Sequence, residues 1–233
     1  MTRVLLLGSA PYALEAREWP RRFDVILAIN NAWRVRTDWD ELIHPWDFPP
    51  ERMPPRLAPG QRVVTETAFV PAQNAFGGFV YAGGTMAFTA AYYALYTHRP
   101  EVLALFGCDM IYPPSGPTHF YGTGAPDPLR ADPTLQSLEA KSVRLLALAA
   151  HKGCRIVNLS SGPSRLLFPR AAPDLRQLPP PPTLDQTAID AALAREDALG
   201  YRVPSGRYWD EIDRFDPSAL ADLDAMWRAA LGP

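Results

Sequence analysis

The sequence predicts an α/β fold: a Rossmann-like, mostly parallel sheet with flanking helices, a small lid loop and a C-terminal helical appendage. Three observations carry that expectation. Apolar runs at 4–7, 24–29 and 101–107 do not alternate, as strands buried on both faces do not. Turn-forming or polar residues follow most of these runs. Helical patterns lie between them, so strands and helices alternate along the chain.

In order, residues 4–7 form a first strand, closed by the tight turn Gly8-Ser9-Ala10-Pro11. A short helix starts over 12–19. Residues 24–29 make a second buried strand that stops at Asn30-Asn31, and 40–44 a third that opens into a Pro-rich loop over 45–59. A fourth strand is expected over 61–69. Gly83-Gly84 opens a helix over 85–96 with Thr85 as its cap. The strand at 101–107 ends at Cys108-Asp109, and a loop rich in Pro and Gly runs over 113–128. A helix over 134–151 is amphipathic through Leu135, Leu138, Val143, Leu145, Leu146 and Leu148, and Gly153 stops it. The last strand, 155–159, runs into Ser160-Ser161-Gly162-Pro163-Ser164. Pro179 to Pro182 reads as a stiff polyproline spacer. Two helices follow, over 185–199 and 217–231, and the second carries an apolar stripe of Leu220, Leu223, Trp227 and Leu231 expected to pack on the main body. The chain therefore divides into a Rossmann-like domain over 1–175, with a lid loop over 112–130, and a Pro-rich spacer with a helical segment over 176–233.

Composition excludes several classes. The formal net charge is −2 over 233 residues, which leaves no basic surplus for a nucleic-acid footprint. Of the 23 basic residues only Lys141 and Lys152 are lysine, so lysine-based proton transfer has few candidates. No apolar run approaches the ~18 residues of a membrane span, and the N-terminal apolar stretch is too short for a signal peptide. Two cysteines, Cys108 and Cys154, cannot build a disulfide framework or a four-cysteine zinc site. Both sit in apolar runs, where buried free thiols and a reducing, cytoplasmic setting are expected.

Four constellations carry chemistry. The Gly8-Ser9-Ala10 turn can present amides and a hydroxyl to a phosphate, or serve as an ordinary strand-to-helix turn; it lacks the glycines of G-x-G-x-x-G and the lysine of a P-loop. Asn30 and Asn31 offer paired donors and acceptors for a base or a sugar hydroxyl. Gly83-Gly84-Thr85 before a helix allows close ligand approach or a simple cap. Asp109 ends a strand, and Tyr112, His119 and Tyr121 follow it in a polar loop, where the histidine can exchange a proton near neutral pH and the tyrosines can donate to a leaving phosphate. Asp38-Trp39-Asp40 matches an acid-x-acid metal pattern, but it precedes a strand where such patterns end one. Cys108 has no histidine near it to make it a nucleophile. His98 and His151 stand at helix ends as partners of the helix dipole.

Over roughly residues 3–174 the chain resembles the bacterial sialyltransferases of glycosyltransferase family 42, and more loosely motility-accessory and pterin-pyrophosphokinase-like proteins. The opening strand and turn through Pro11 are similar to the family's first strand and Gly-Asn-Gly-Pro-Ser turn. Phe23-Asp24-Val25 through Asn30 resembles its second strand with a nucleotide-contacting Asn. Ile43-His44-Pro45 falls where the family has Asn-Pro, Gly83-Gly84-Thr85 where it has a Ser-Gly helix start, and Gly107 to Tyr112 where it has Gly-Ile-Asp-Phe-Tyr. Leu138-Glu139 through Pro173 resembles its last helix, strand and Pro-Asn-Ser loop. Ser9-Ala10 replaces Asn-Gly, His44 replaces Asn, and the family's catalytic histidine aligns near Thr123, four residues past His119.

The resemblance implies a single GT-A-like domain and metal-independent, inverting transfer of sialic acid from CMP-sialic acid. A lid histidine would act as base and tyrosines would bind the leaving phosphate. Carried to this chain, it implies catalytic roles for His119, Tyr112, Tyr121 and His44. Nucleotide-sugar binding would fall to Gly8, Ser9, Ala10, Asn30, Asn31, Gly84, Thr85, Asp109, Gly162, Pro163 and Ser164. The expected function is transfer of sialic acid or a related nonulosonate from a CMP-sugar to a hydroxyl of a glycan or glycolipid, with no metal and no cofactor beyond the donor. Peripheral membrane contact and a homo-oligomer stay open. Two alternatives stand beside it: a Mg²⁺-dependent pyrophosphokinase or phosphotransferase using Asp38, Asp40 or Asp109 as ligands, and a non-catalytic nucleotide-binding assembly protein whose C-terminal helices form the contact surface.

Overall fold

The computed structural model describes residues 2–113, 115–123 and 131–232. Six strands, β1 (Arg3–Leu7), β2 (Val25–Ile29), β3 (Glu41–Ile43), β4 (Arg62–Val64), β5 (Val102–Phe106) and β6 (Arg155–Asn158), form one sheet in the order β4-β3-β2-β1-β5-β6. Every neighbouring pair is parallel, so the fold is Rossmann-like α/β, as the unbroken apolar runs predict.

The burial pattern gives the reason for those runs. Val4 and Leu6 of β1 face one core cluster with Leu27, Leu103 and Leu105. Leu5 and Leu7 face the other with Ile26, Ala28, Ala104 and Phe106. Side chains alternate with a period of two, but both faces are covered, so every position is apolar. The chain steps outward from β1 to β4 and then returns to place β5 on the far side of β1. That reversal makes β1 and β5 the switch point of the sheet, where open α/β sheets bind ligands beyond the strand ends.

The helices are α1 (Glu66–Asn74), α2 (Phe79–Ala82), α3 (Met86–Thr97), α4 (Leu138–His151), α5 (Gln186–Leu199) and α6 (Pro217–Ala229). Thr85 caps α3, its hydroxyl accepting from the Phe88 amide at 3.4 Å. Three expectations are corrected. The fourth strand does not run over 61–69: β4 stops at Val64 and α1 begins at Glu66, because Phe69, Ala72 and Gln73 recur at helical spacing and are buried together. The helix over 134–151 starts at Leu138, where the Ser137 hydroxyl takes the Ala140 amide at 3.2 Å; Pro133–Leu135 forms a separate 3₁₀ turn. The segment at 12–19 is also 3₁₀, over Pro11–Glu18. The expected lid loop at 112–130 is described except for residue 114 and residues 124–130, which lie outside the described residues.

Beyond the prolines at 179–182, α5 and α6 join the cluster that packs on α3 and α4. Leu220, Leu223 and Trp227 are fully buried, as the stripe predicts, but α6 stops at Ala229, and Leu231 lies beyond it, half-buried, bridged to Leu184. A buried polar network fixes the junction. Arg144 of α4 donates to both carboxylate oxygens of Glu196 on α5, at 2.7 and 2.8 Å, and to the Tyr92 hydroxyl at 2.8 Å. Trp227 of α6 donates to the same Glu196 at 2.8 Å, and Lys141 pairs with Asp224 at 2.7 Å.

Candidate functional site

A cavity of about 770 Å³ lies over the carboxyl ends of β1, β2 and β5. The turn after β1 forms its floor. The Gly8 amide donates to the Phe106 carbonyl at 2.8 Å and the Ala10 amide to the Gly107 carbonyl at 3.1 Å, which locks this turn onto the turn after β5. A Cβ on Gly8 would lie 2.3 Å from the Gly107 oxygen, so glycine is required here by the neighbouring backbone. Ser9 and Ala10 line the cavity beside it.

After β2, Asn30 takes a left-handed conformation with φ 52°. Its Oδ1 is buried and has no hydrogen-bond partner among the described residues, an acceptor on the cavity wall that a ligand donor would satisfy. Asn31 lies next to it, buried. After β5, Asp109 is buried and tied down on every side. It accepts from the Tyr12 hydroxyl and from Asn158 Nδ2 at 2.6 Å, and Arg170 stands 3.8 Å away. Those partners make Asp109 a post that holds the β5 turn in place. Met110 follows with φ 54°, a second left-handed residue on the same wall.

The start of α3 supplies the third side: Thr85, Met86 and Ala87 line the cavity with the positive end of the helix. Arg34 and Arg52 also line it, both exposed, and no described group pairs with either guanidinium. The lid closes the fourth side. The Phe120 amide donates to the Ser9 carbonyl at 3.0 Å, and His119 and Gly122 exchange amide-to-carbonyl bonds at 3.0 and 3.1 Å. The His119 ring stacks on Tyr121 with centroids 4.9 Å apart, lies 6.1 Å from the Tyr112 ring, and holds Thr118 Oγ1 at 2.8 Å through Nδ1. Burial pushes its pKa below the usual imidazole value, which favours the neutral ring.

The cavity thus gathers Gly8, Ser9, Ala10, Asn30, Asn31, Thr85, Asp109, Tyr112, His119, Tyr121, Gly162 and Pro163. Three expected residues stand off its wall. His44 packs its ring against Phe48 at 5.1 Å and donates Nδ1–H to the Pro45 carbonyl at 2.8 Å, which turns it into the support behind the wall. Ser164 accepts from Asn158 Nδ2 and from the Leu166 amide, at 3.1 and 3.0 Å. Gly84 donates its amide to Thr134 Oγ1 at 3.3 Å and lines a different cavity.

The other candidates have structural partners. Asp38 is gripped by Arg36 through two bonds of 2.8 Å, and that hydrogen-bonded guanidinium lowers its pKa. Asp40 accepts from Arg21 and from the Ile26 amide, each at 2.7 Å. Among the described residues, no group of three or more His, Cys, Asp or Glu side chains is placed to hold a metal ion. Both cysteines are free and buried, and burial pushes each thiol up to about 12, which leaves neither as a nucleophile. His98 caps the end of α3 and pairs with Glu41 at 3.1 Å.

Sequence reasoning missed Arg34, Arg52 and Tyr12. Arg34 follows the Asn30-Asn31 strand exit by one 3₁₀ turn, a signal of position. Arg52 reaches the site only through the path of the 45–59 loop, which no local pattern reports. No protein-family model, no curated protein and no solved structure matches this chain.

Proposed function

We propose that this protein is a glycosyltransferase that binds a nucleotide-activated sugar, with a CMP-linked sialic acid or related nonulosonate as donor, in the cavity between β1, β2 and β5. One observation carries the reading: the start of α3, Arg34, Arg52 and His119 line the same cavity at the switch point of the sheet. Phosphate would sit against the start of α3 between Arg34 and Arg52, where the helix dipole and two guanidiniums favour negative charge. Asn30 Oδ1 would accept from the base or sugar. With its Nδ1 engaged by the Thr118 hydroxyl, His119 would present Nε2 as a base for the acceptor hydroxyl in the tautomer that carries its proton on Nδ1. Tyr112 and Tyr121 would donate to the phosphate as charge develops on it.

The test is thermal melting with CMP, UDP, GDP and ATP, followed by turnover. A nucleotide at a hundred times its Kd stabilises by about 2.7 kcal/mol, a rise in Tm of roughly 5–11 °C for a chain of this size. CMP is expected to give that rise in the wild type, and Arg34→Ala/Arg52→Ala is expected to remove most of it. His119→Ala should keep the rise and lose turnover by a factor of about 100 or more. Stabilisation by ATP with Mg²⁺ and none by CMP would replace this reading with phosphotransfer.

A further inference from the structure

A second cavity of about 770 Å³ adjoins the first, sharing Pro45, Thr85 and Met86 with it. Its chemistry is opposite. The first cavity carries two guanidiniums with no described partner and one carboxylate, Asp109, already bound by Tyr12 and Asn158. The second is lined by three carboxylates, Asp47, Glu66 and Asp132, and one guanidinium, Arg207. Arg207 is already paired with Asp210 at 2.9 Å. Asp132 is also spent: its two oxygens accept from the Tyr208 hydroxyl at 2.7 Å and the Thr134 amide at 2.8 Å. Asp47 and Glu66 are exposed, and no described group pairs with either.

Aromatic rings line the same cavity. Trp46 and Trp209 line the cavity and remain 66% and 44% exposed. The C-terminal segment builds this wall: Gly206, at φ 77°, lies so close to Val70 that a Cβ would approach its methyl at 2.9 Å, and Tyr208 stacks on Phe79 with centroids 6.3 Å apart. One cation already uses the Trp209 face, the Arg207 guanidinium 6.0 Å from the ring centroid.

We propose that this second cavity binds an organic cation, a protonated or quaternary amine carried on an apolar body. Indole faces attract a desolvated ammonium through their quadrupole, and unpaired carboxylates attract it through charge, whereas an anion would meet repulsion and an uncharged apolar ligand would leave both carboxylates without a partner. The assignment rests on this cavity alone. Only its further meaning, that the amine-bearing molecule is the acceptor, rests on the transferase reading, because the shared Thr85–Met86 wall sets it beside the phosphate site.

The probes are choline and 3,3-dimethylbutan-1-ol, its neutral carbon isostere, titrated into the full chain without nucleotide. Binding is read from the indole N–H resonances of Trp46 and Trp209, assigned with Trp46→Phe and Trp209→Phe. Choline is expected to shift both resonances saturably, with the isostere at least tenfold weaker. Asp47→Asn/Glu66→Gln should weaken choline at least tenfold while lowering the melting temperature by no more than the few degrees that loss of a charge at the start of α1 costs. Equal affinity for the isostere, no loss in the double variant, or shifts confined to other indoles would overturn the proposal. CMP binding is measured in a separate arm, so a failed nucleotide site and a failed cation site give different results.

Discussion

Single residues at the switch point divide into those that hold backbone and those that meet a ligand. Gly8 belongs to the first kind. Its missing side chain leaves room for the Gly107 carbonyl, so Gly8→Ala pushes a methyl group into backbone that is itself hydrogen-bonded. Forced overpacking of this sort costs about 1–3 kcal/mol or more, and the expected result is a lowered Tm even in the absence of nucleotide. An unchanged Tm would return Gly8 to the role of a purely ligand-facing glycine. The proposed reaction places His119 in the second kind. Burial lowers its pKa from the ordinary 6.5, so the neutral base persists into mildly acidic solution. In the proposed reaction kcat/KM should therefore fall with decreasing pH through an inflection below 6.5, and the inflection should disappear in His119→Gln. An inflection above that value would assign the base to another group. The turn glycine and the loop histidine were both legible as residues, but only packing distinguished a structural requirement from a chemical one.

The elements show where sequence pattern suffices and where packing decides. β1, β2 and β5 were legible because strands buried on both faces leave an unbroken apolar run with a polar exit. α1 was not: Val63, Val64 and Thr65 favour a strand, and Pro71 sits inside the helix that follows. Its apolar face against α3 outweighs that local preference. The short strand β3 depends on a similar non-local contact. Glu41 is buried in the sheet, where His98 from the end of α3 and Arg62 from β4 both bind its carboxylate. Burial alone would raise its pKa, but the hydrogen bonds and charges of His98 and Arg62 outweigh burial and hold it below the ordinary 4.5. A depressed carboxylate adds stability that is full above its unfolded value and is lost as pH falls through the folded one. Unfolding free energy measured in urea should thus decline as pH drops below about 4.5, and Glu41→Gln should be weaker at neutral pH with a shallower acid decline. An acid limb of unchanged steepness in the variant would show that other carboxylates govern it.

At the scale of the whole molecule, the tail that sequence set apart behind a proline spacer is joined to the core by charge as well as by apolar packing. Trp227 and Leu220 could be read from helical spacing; the Arg144–Glu196 pair could not, since 52 residues separate its partners and neither shows a local pattern. A guanidinium buried under α5 and α6 is tolerable only while Glu196 and Tyr92 satisfy it. Removing one partner of such a pair strands the other charge, and Glu196→Ala is expected to cost about 3–5 kcal/mol, or on the order of 6–20 °C in Tm for this chain length. Replacing the partner as well should recover part of that loss, because Arg144→Met removes the stranded charge and keeps much of its volume. A double-mutant cycle reads this directly: Glu196→Ala/Arg144→Met should be less destabilised than the sum of the two single variants, by at least about 1 kcal/mol. Strict additivity would mean that the carboxylate stabilises the tail through Trp227 and not through the arginine. The same cycle bears on the second cavity, since the segment that walls it, residues 205–212, lies between α5 and α6 in sequence, so that loosening those helices loosens both of its ends. In Glu196→Ala, choline binding should therefore weaken along with stability, while CMP binding, which the proposed function places at β1, β2, β5 and the start of α3, should persist for as long as the sheet stays folded.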